Sequence, residues 1–91
     1  MEIATKQRKK LLNRVRRIKG QIESIERVLS QGLEDDTTLQ TLSACRGAIA
    51  GLMSEILEEH VRSRLLDPAR DPADQARVSQ EILELFRTYT K

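Results

Sequence analysis

The sequence predicts an all-α protein built from three helices, of which the central one is the longest. Three stretches carry apolar side chains at spacings of three and four residues, the period that keeps one face of an α-helix buried. Both prolines fall in one short segment between the second and third stretches, and no stretch alternates as a strand does. The 91 residues are therefore expected to form a single helical domain, residues 1–91.

The first helix is predicted from Thr5 to Gln31. Gly32 is expected to end it, because glycine adopts the left-handed C′ conformation without steric cost. The apolar positions alternate four and three residues apart, as in a heptad seam that packs on another helix: Leu11, Val15, Ile18, Ile22, Ile25 and Leu29.

The second helix is predicted from Asp35 to Leu66. Its capping candidates are Asp35, Asp36 and Thr37, the last in a Thr37-x-x-Gln40 capping box. One stripe is expected to be buried: Leu39, Leu42, Cys45, Ile49, Leu52, Ile56 and His60. A helix of about 45 Å is longer than the core of so short a monomer, so packing against another chain is expected.

Two glycines, Gly47 and Gly51, lie in the middle of this helix. Each interior glycine costs about 1 kcal/mol relative to alanine, so the pair indicates that another backbone approaches closely. The alternative is that both are simply tolerated.

The third helix is predicted to start at Pro72 and to run to the C-terminus. Pro68 breaks the preceding helix, and Asp71 followed by Pro72 is typical of an N-cap with proline at the first helical position. Its apolar face holds Val78, Ile82, Leu85, Phe86 and Tyr89.

The charge is unevenly distributed along the chain. Residues 1–20 hold eight Lys or Arg against one Glu, whereas residues 21–91 hold eight against thirteen acidic residues. A basic segment without Trp or Phe favours a nucleic acid over a membrane surface as its anionic partner. The alternative is a band that only keeps the helix solvated.

Composition excludes several classes of protein. No run of apolar residues is long enough to cross a membrane, and MEIATKQRKK lacks the apolar segment of a signal peptide. One cysteine allows no intrachain disulfide, so a reducing cytoplasm is expected. An enzyme is not expected, because the chain has no nucleophile–base pair and no phosphate-binding loop.

Two segments resemble the CsoR/RcnR/FrmR family of bacterial transcriptional repressors. They are RVRRIKGQIESIERVL from Arg14 to Leu29 and LQTLSACRGAIAGLMSEILEEHV from Leu39 to Val61. The resemblance implies a dimer of dimers with antiparallel central helices, and a DNA-binding face formed by the first helices. Arg14, Arg17 and Gln21 match family positions linked to DNA contact. Charge alone adds Lys10, Arg16, Lys19 and Arg46.

The family's effector site is altered in this sequence. By the resemblance, a cysteine opening the second helix acts with a histidine of the partner chain and the residue four positions after it. These positions hold Asp35, His60 and Arg64. The carboxylate of Asp35 supplies neither the thiolate that Cu(I) prefers nor a nucleophile for formaldehyde. Arg64 has no lone pair for a metal.

Asp35 and Arg64 are complementary in charge, which suggests another role. If the central helices pair antiparallel about residue 47 or 48, Asp35 of one chain faces His60 and Arg64 of the other. The pair would then hold the tetramer in a DNA-competent arrangement or bind a different, anionic effector. The alternative is that Asp35 is an N-cap and Arg64 is solvated.

His60 is the best single candidate for a ligand or a proton-sensitive group. With Asp35, Glu2 or the N-terminal amine it offers donors for Ni(II), Co(II) or Zn(II), but the set is incomplete. Cys45 lies about 22 Å from His60 along the helix, so the two cannot share a metal within one chain. Cys45 is expected to be a buried core residue, with an intersubunit disulfide or oxidation sensing as the alternative.

The sequence therefore predicts a repressor of double-stranded operator DNA, modulated by a small effector that the family resemblance implies is a metal ion or a reactive aldehyde. One alternative is a repressor that has lost metal and formaldehyde sensing and responds to another ligand or to Cys45 oxidation. The other is a helical adaptor. Salt-dependent binding to DNA separates a repressor from an adaptor.

Overall fold

The computed structural model describes residues 5–89, and within them all regular structure is helical. The elements are α1 (Thr5–Ser30), α2 (Asp36–His60), a π-helical turn (Val61–Leu65) and α3 (Pro72–Tyr89). The predicted all-α class and its three helices are confirmed. The described residues divide into two compact units, 5–54 and 55–89, and α2 contributes to both.

The end of α1 is a Schellman motif centred on Gly32. The Gly32 N–H donates to the Leu29 carbonyl (3.1 Å), and the Leu33 N–H donates to the Val28 carbonyl (3.0 Å). Gly32 has a φ of 67°, a left-handed conformation that a Cβ disfavours. The predicted stop signal is confirmed, and it acts through two local hydrogen bonds.

The start of α2 corrects the predicted capping box. Asp35 is the N-cap: its Oδ1 accepts a hydrogen bond from the Thr37 N–H (2.9 Å), and the Thr38 hydroxyl accepts one from the Asp35 N–H (3.1 Å). The Thr37–Gln40 box is wrong because the helix already begins at Asp36, which places Thr37 inside the first turn.

The predicted second helix ends where expected, but its last turn is not α-helical. After His60 the chain widens into the π turn, in which the Leu66 N–H donates to the Val61 carbonyl (3.1 Å). The helix α3 packs against this turn. The α-helical part alone, 25 residues, spans about 38 Å.

The start of α3 matches the prediction. The Asp71 carboxylate accepts a hydrogen bond from the Ala73 N–H (3.0 Å), and Pro72 is the first helical residue. Among the predicted apolar positions, Val78 and Ile82 are buried, whereas Phe86 and Tyr89 are largely exposed. The predicted extension beyond Tyr89 lies outside the described residues.

Within residues 5–54, α1 and α2 form an antiparallel hairpin. Arg14 near the start of α1 lies over Gly51 near the end of α2, and Gln21 meets Cys45 about two turns further along. The buried core of this unit contains Leu11 and Ile25 of α1, together with Cys45.

The hairpin covers only half of the predicted apolar positions. On α1, every second member of the heptad seam is buried or half-buried: Leu11, Ile18 and Ile25. The intervening members, Val15, Ile22 and Leu29, are exposed. On α2, the positions predicted to be buried include three that are exposed: Leu39, Leu42 and Ile49. A single neighbouring helix covers only one side of the apolar stripe of a helix, so the other side of the stripe stays exposed to solvent in a single chain.

Candidate functional site

The basic residues of α1 lie mostly on its exposed surface. Among the predicted DNA-binding residues, those that are exposed are Lys10, Arg16, Arg17, Lys19 and, on α2, Arg46. Arg14 and Gln21 are half-buried and turn toward α2. The predicted set is therefore of two kinds, exposed cations and side chains held by the neighbouring helix.

Helix geometry groups four of these residues into one stripe. At 3.6 residues per turn, spacings of four, three and four residues place Lys10, Arg14, Arg17 and Gln21 above one another. Arg16 and Lys19 project from other sides of α1. A straight row of three cations and an amide suits the backbone of a duplex, which presents phosphates at regular intervals.

Gln21 is held by Cys45. The Cys45 thiol donates a hydrogen bond to the Gln21 side-chain oxygen, with a sulfur–oxygen distance of 3.6 Å. Only 3% of Cys45 is exposed. Its burial favours the core role over oxidation sensing, because thiol oxidation requires access and thiolate character.

Asp35 lines a cleft between the hairpin helices. The cleft has a volume of about 280 Å³, and hydroxyl groups dominate its α2 side. It is lined by Ser24, Ile25, Val28, Leu33, Asp35, Thr37, Thr38 and Thr41. One carboxylate oxygen of Asp35 already accepts the helix-capping hydrogen bond, and the residue remains exposed. A second partner can therefore still reach the carboxylate.

His60 is the one buried polar residue found among the described residues. It is 9% exposed, and neither ring nitrogen has a hydrogen-bond partner in residues 5–89. Burial holds the pKa of His60 below its ordinary value of 6.5, and the Arg64 cation lowers that pKa further, against the opposing effect of Glu81. The lowered pKa favours the uncharged imidazole at neutral pH.

A cleft of about 370 Å³ opens beside His60 within residues 55–89. Its remaining lining comes from one side of α3: Glu81, Glu84, Leu85, Thr88 and Tyr89. The cleft thus lies against a histidine whose two ring nitrogens, one a donor and the other an acceptor in the neutral form, are buried and unpaired in the described residues.

Arg64 is paired within its own chain. Its guanidinium lies 3.8 Å from a Glu81 carboxylate oxygen, and Arg77 contacts the other Glu81 oxygen at 2.8 Å. Arg77 also bonds Asp74, which accepts from Arg70. Sequence reasoning missed this chain of ion pairs, although the spacing of four between Arg70 and Asp74 and between Arg77 and Glu81 was a readable signal.

The described residues do not form a complete metal site within one chain. In residues 5–89, no three His, Cys, Asp or Glu side chains come close enough together to hold a metal ion. Glu2 and the N-terminal amine, which the sequence offered as further donors, lie outside those residues. Arg64 supplies no lone pair, so the predicted effector residues include at most two ligands.

A comparison with known protein families shows to which family the chain belongs. The model of the family described as "Metal-sensitive transcriptional repressor" matches residues 7–88. The chain belongs to this family. It is a family of transcriptional regulators rather than of enzymes, and the resemblance noted from the two sequence segments is confirmed.

Individual family members are similar over nearly the whole chain. An uncharacterised protein from the region 5′ of bioA in Serratia marcescens is 45% identical over 83 residues, 91% of either chain. The transcriptional repressor RcnR of Salmonella paratyphi B is 29% identical over 94 residues, with both chains fully covered.

A solved structure of the same family shares the fold. A variant of the formaldehyde-responsive regulator FrmR from Salmonella enterica serovar Typhimurium superposes with a TM-score of 0.87 at 40% identity. The match covers 97% of this chain and 99% of the other. None of the helices in residues 5–89 has the length and apolarity that a membrane span requires.

Proposed function

We propose that this family member is a repressor that binds operator DNA through α1 and that a small effector modulates its affinity for that DNA. The observation that carries the proposal is the stripe of Lys10, Arg14, Arg17 and Gln21 on the basic half of α1. Lysine and arginine neutralise phosphates and release counterions, which gives strong, salt-sensitive binding.

In the proposed assembly, two subunits place the basic stripes of their α1 helices on one DNA-binding surface. Because α1 and α2 run antiparallel, helix geometry puts their exposed apolar stripes on the same side of the hairpin. We define this apolar face by its members: Val15, Ile22, Leu29, Leu39, Leu42, Ile49 and Met53, each at least 37% exposed in the single chain. A second copy would cover the face and form a dimer, and two dimers would form the tetramer.

The effector site in this proposal involves Asp35, His60 and Arg64, and it does not use cysteine chemistry. Asp35 keeps one carboxylate oxygen available, and His60 keeps two unpaired nitrogens beside a cleft. In an antiparallel dimer, Asp35 would face His60 and Arg64 of the partner subunit. Arg64 would then exchange its 3.8 Å contact with Glu81 for the aspartate of the other chain.

DNA binding is tested by fluorescence anisotropy on a labelled duplex from the region upstream of the protein's own gene. We expect tight binding that weakens steeply with salt. Arg17→Ala should weaken it and reduce the salt slope by about one, because one phosphate is no longer neutralised. Arg27→Ala is the matched control, because Arg27 is exposed on the same helix but outside the basic half. Absence of salt-dependent binding by the wild type would favour the adaptor.

The effector is sought with the same assay. The DNA complex is titrated separately with Ni(II), Co(II), Zn(II), Cu(I), formaldehyde and peroxide. Release by one divalent metal that is lost in His60→Ala would indicate a rebuilt metal site, in which Asp35 stands where the family has cysteine. A complex that none of these disturbs would indicate that the family's sensing has been lost and that another ligand acts at Asp35 and Arg64.

A further inference from the structure

Gly51 differs from the other helical glycines in what surrounds it. A Cβ added at Gly51 would lie 2.7 Å from an Nη of Arg14 and 3.8 Å from its Cζ, whereas one added at Gly20 or Gly47 would meet nothing within 4 Å. Side-chain carbons do not approach a nitrogen this closely. The guanidinium of Arg14 therefore occupies the space that any other residue at position 51 would fill.

We propose that Gly51 is a positioning residue that seats the Arg14 guanidinium on α2 and so sets the direction in which Arg14 meets DNA. This inference rests on the proposed DNA-binding function. Within one chain, Gly51 accommodates a side chain and Gly47 has open space around it, and the predicted close approach of another backbone to the glycine pair stays a prediction.

Three features of the contact support the proposal. Arg14 is half-buried, while its stripe neighbours Lys10 and Arg17 are exposed, so Arg14 is the cation of the stripe whose direction the protein controls. An arginine held by its surroundings loses less conformational freedom when it binds a phosphate or a base edge. Glycine is also among the least favourable residues in a helix interior, so its presence at 51 needs a compensating role.

The contact makes the substitution Gly51→Ala informative. The atoms that the new methyl group meets are the far end of a flexible side chain, which can move away without disturbing the backbone. Alanine also favours the helix more than glycine does. We therefore expect Gly51→Ala to unfold at the same temperature as the wild type or at a higher one, while the Arg14 guanidinium loses its position on α2.

The test compares DNA affinity and its salt dependence in four proteins on the labelled upstream duplex: wild type, Gly51→Ala, Arg14→Ala and the double variant. Arg14→Ala is expected to weaken binding about tenfold or more, the factor for loss of a charge-assisted contact. Gly51→Ala is expected to weaken binding by a similar factor and to lower the salt slope. The double variant is expected to bind no more weakly than Arg14→Ala, because both changes act on the same side chain.

Gly47→Ala is the matched control. It makes the same change one turn away on the same helix, where an added Cβ meets nothing within 4 Å beyond the adjacent turns of α2 itself. Unchanged DNA affinity in Gly47→Ala together with the loss in Gly51→Ala supports the proposal, provided that sedimentation shows the same assembly for both variants.

Three results would overturn it. The first is wild-type affinity and salt slope in Gly51→Ala, and the second is an equal loss in Gly47→Ala. The third is a further loss when Gly51→Ala is added to Arg14→Ala. A wild type that fails to bind the duplex at low salt would remove the proposed function itself, and this inference with it.

Discussion

His60 is a buried side chain whose charge state is set first by its burial and then by the charged groups around it. Burial lowers its pKa, Arg64 on the π turn lowers that pKa further, and Glu81 on α3 acts in the opposite direction. Glu84 lines the same cleft. With both ring nitrogens unpaired in the described residues, the folded state accommodates the neutral imidazole better than the imidazolium.

Stability should therefore depend on pH through His60. Its pKa is lowered in the folded state, so below the ordinary value of 6.5 the unfolded chain binds more protons than the folded one. The contribution of His60 is complete above that value and is lost as the pH falls below it. We expect the free energy of unfolding, measured by urea titration, to decrease between about pH 7.5 and about pH 5.5 more steeply in the wild type than in His60→Gln. Equal slopes in the two proteins would contradict this account.

Asp35 combines a local role that the structure shows with an intersubunit role that is proposed. Asp35→Ala removes the N-cap and should lower the free energy of unfolding by about 1 kcal/mol. Asp35→Asn retains a capping oxygen and removes the charge, so it should cost little stability yet change assembly or the effector response if the carboxylate pairs with Arg64 of the partner subunit. If both variants keep wild-type assembly, DNA affinity and effector response, Asp35 is a cap and nothing more.

At the scale of the elements, α1 and α3 are bounded by short-range signals. Gly32 closes α1 with a left-handed φ, and Asp71 with Pro72 opens α3. The end of α2 is different, because the chain passes through a π turn on which α3 packs. Arg64 belongs to this π turn and lies 3.8 Å from Glu81 of α3.

Gly32, which has a left-handed φ, provides a test of how α1 ends. Gly32→Ala adds a Cβ at a φ of 67° and should lower the free energy of unfolding by about 1–2 kcal/mol, measured by chemical denaturation. Gly20→Ala is the control, because its Cβ meets nothing within 4 Å and alanine favours a helix interior by about 1 kcal/mol. Opposite signs for the two variants are expected; a loss of similar size in both would contradict the Schellman assignment.

At the scale of the whole molecule, the most informative feature is the uncovered apolar face. Leu39 is 68% exposed and Leu29 56%, values that leave large side chains in water unless a second chain covers them. The chain carries one Phe, one Tyr and no Trp, so it has few large side chains of its own that could cover the apolar face. The polar substitution of one member therefore tests the proposed assembly.

Ile49→Glu places a carboxylate in the middle of the apolar face. Burial of an unpaired charge between subunits is unfavourable, so we expect the dissociation constant of the assembly to rise by about tenfold or more in sedimentation velocity experiments. Gln40→Glu adds the same charge at an exposed residue on the side of α2 opposite Ile49, and it should sediment as the wild type does. A variant Ile49→Glu that assembles normally would exclude this face as the subunit contact.

Much of the fold could be predicted from local sequence patterns, whereas less of the candidate site could be predicted in this way. Asp71, Pro72 and Gly32 were predictable because a cap or a left-handed turn depends on a few adjacent residues. The family resemblance was readable from the two quoted segments. The role of Gly51, the pairing of Arg64 with Glu81 and the hydrogen bond from Cys45 to Gln21 could not be read, because each joins residues that are distant in sequence.

By the family resemblance, Asp35 is predicted to stand at the position of the sensing cysteine. The sequence by itself determined the family, three helices and the signals at most of their ends. Hydrophobic period and capping chemistry specify these features locally. Only the tertiary structure decided which half of each apolar seam is covered, that Arg14 rests over Gly51, and that His60 is buried with unpaired nitrogens. The physical reason is that periodicity places residues on a helix face, whereas the rotation of one helix against another decides which face meets which.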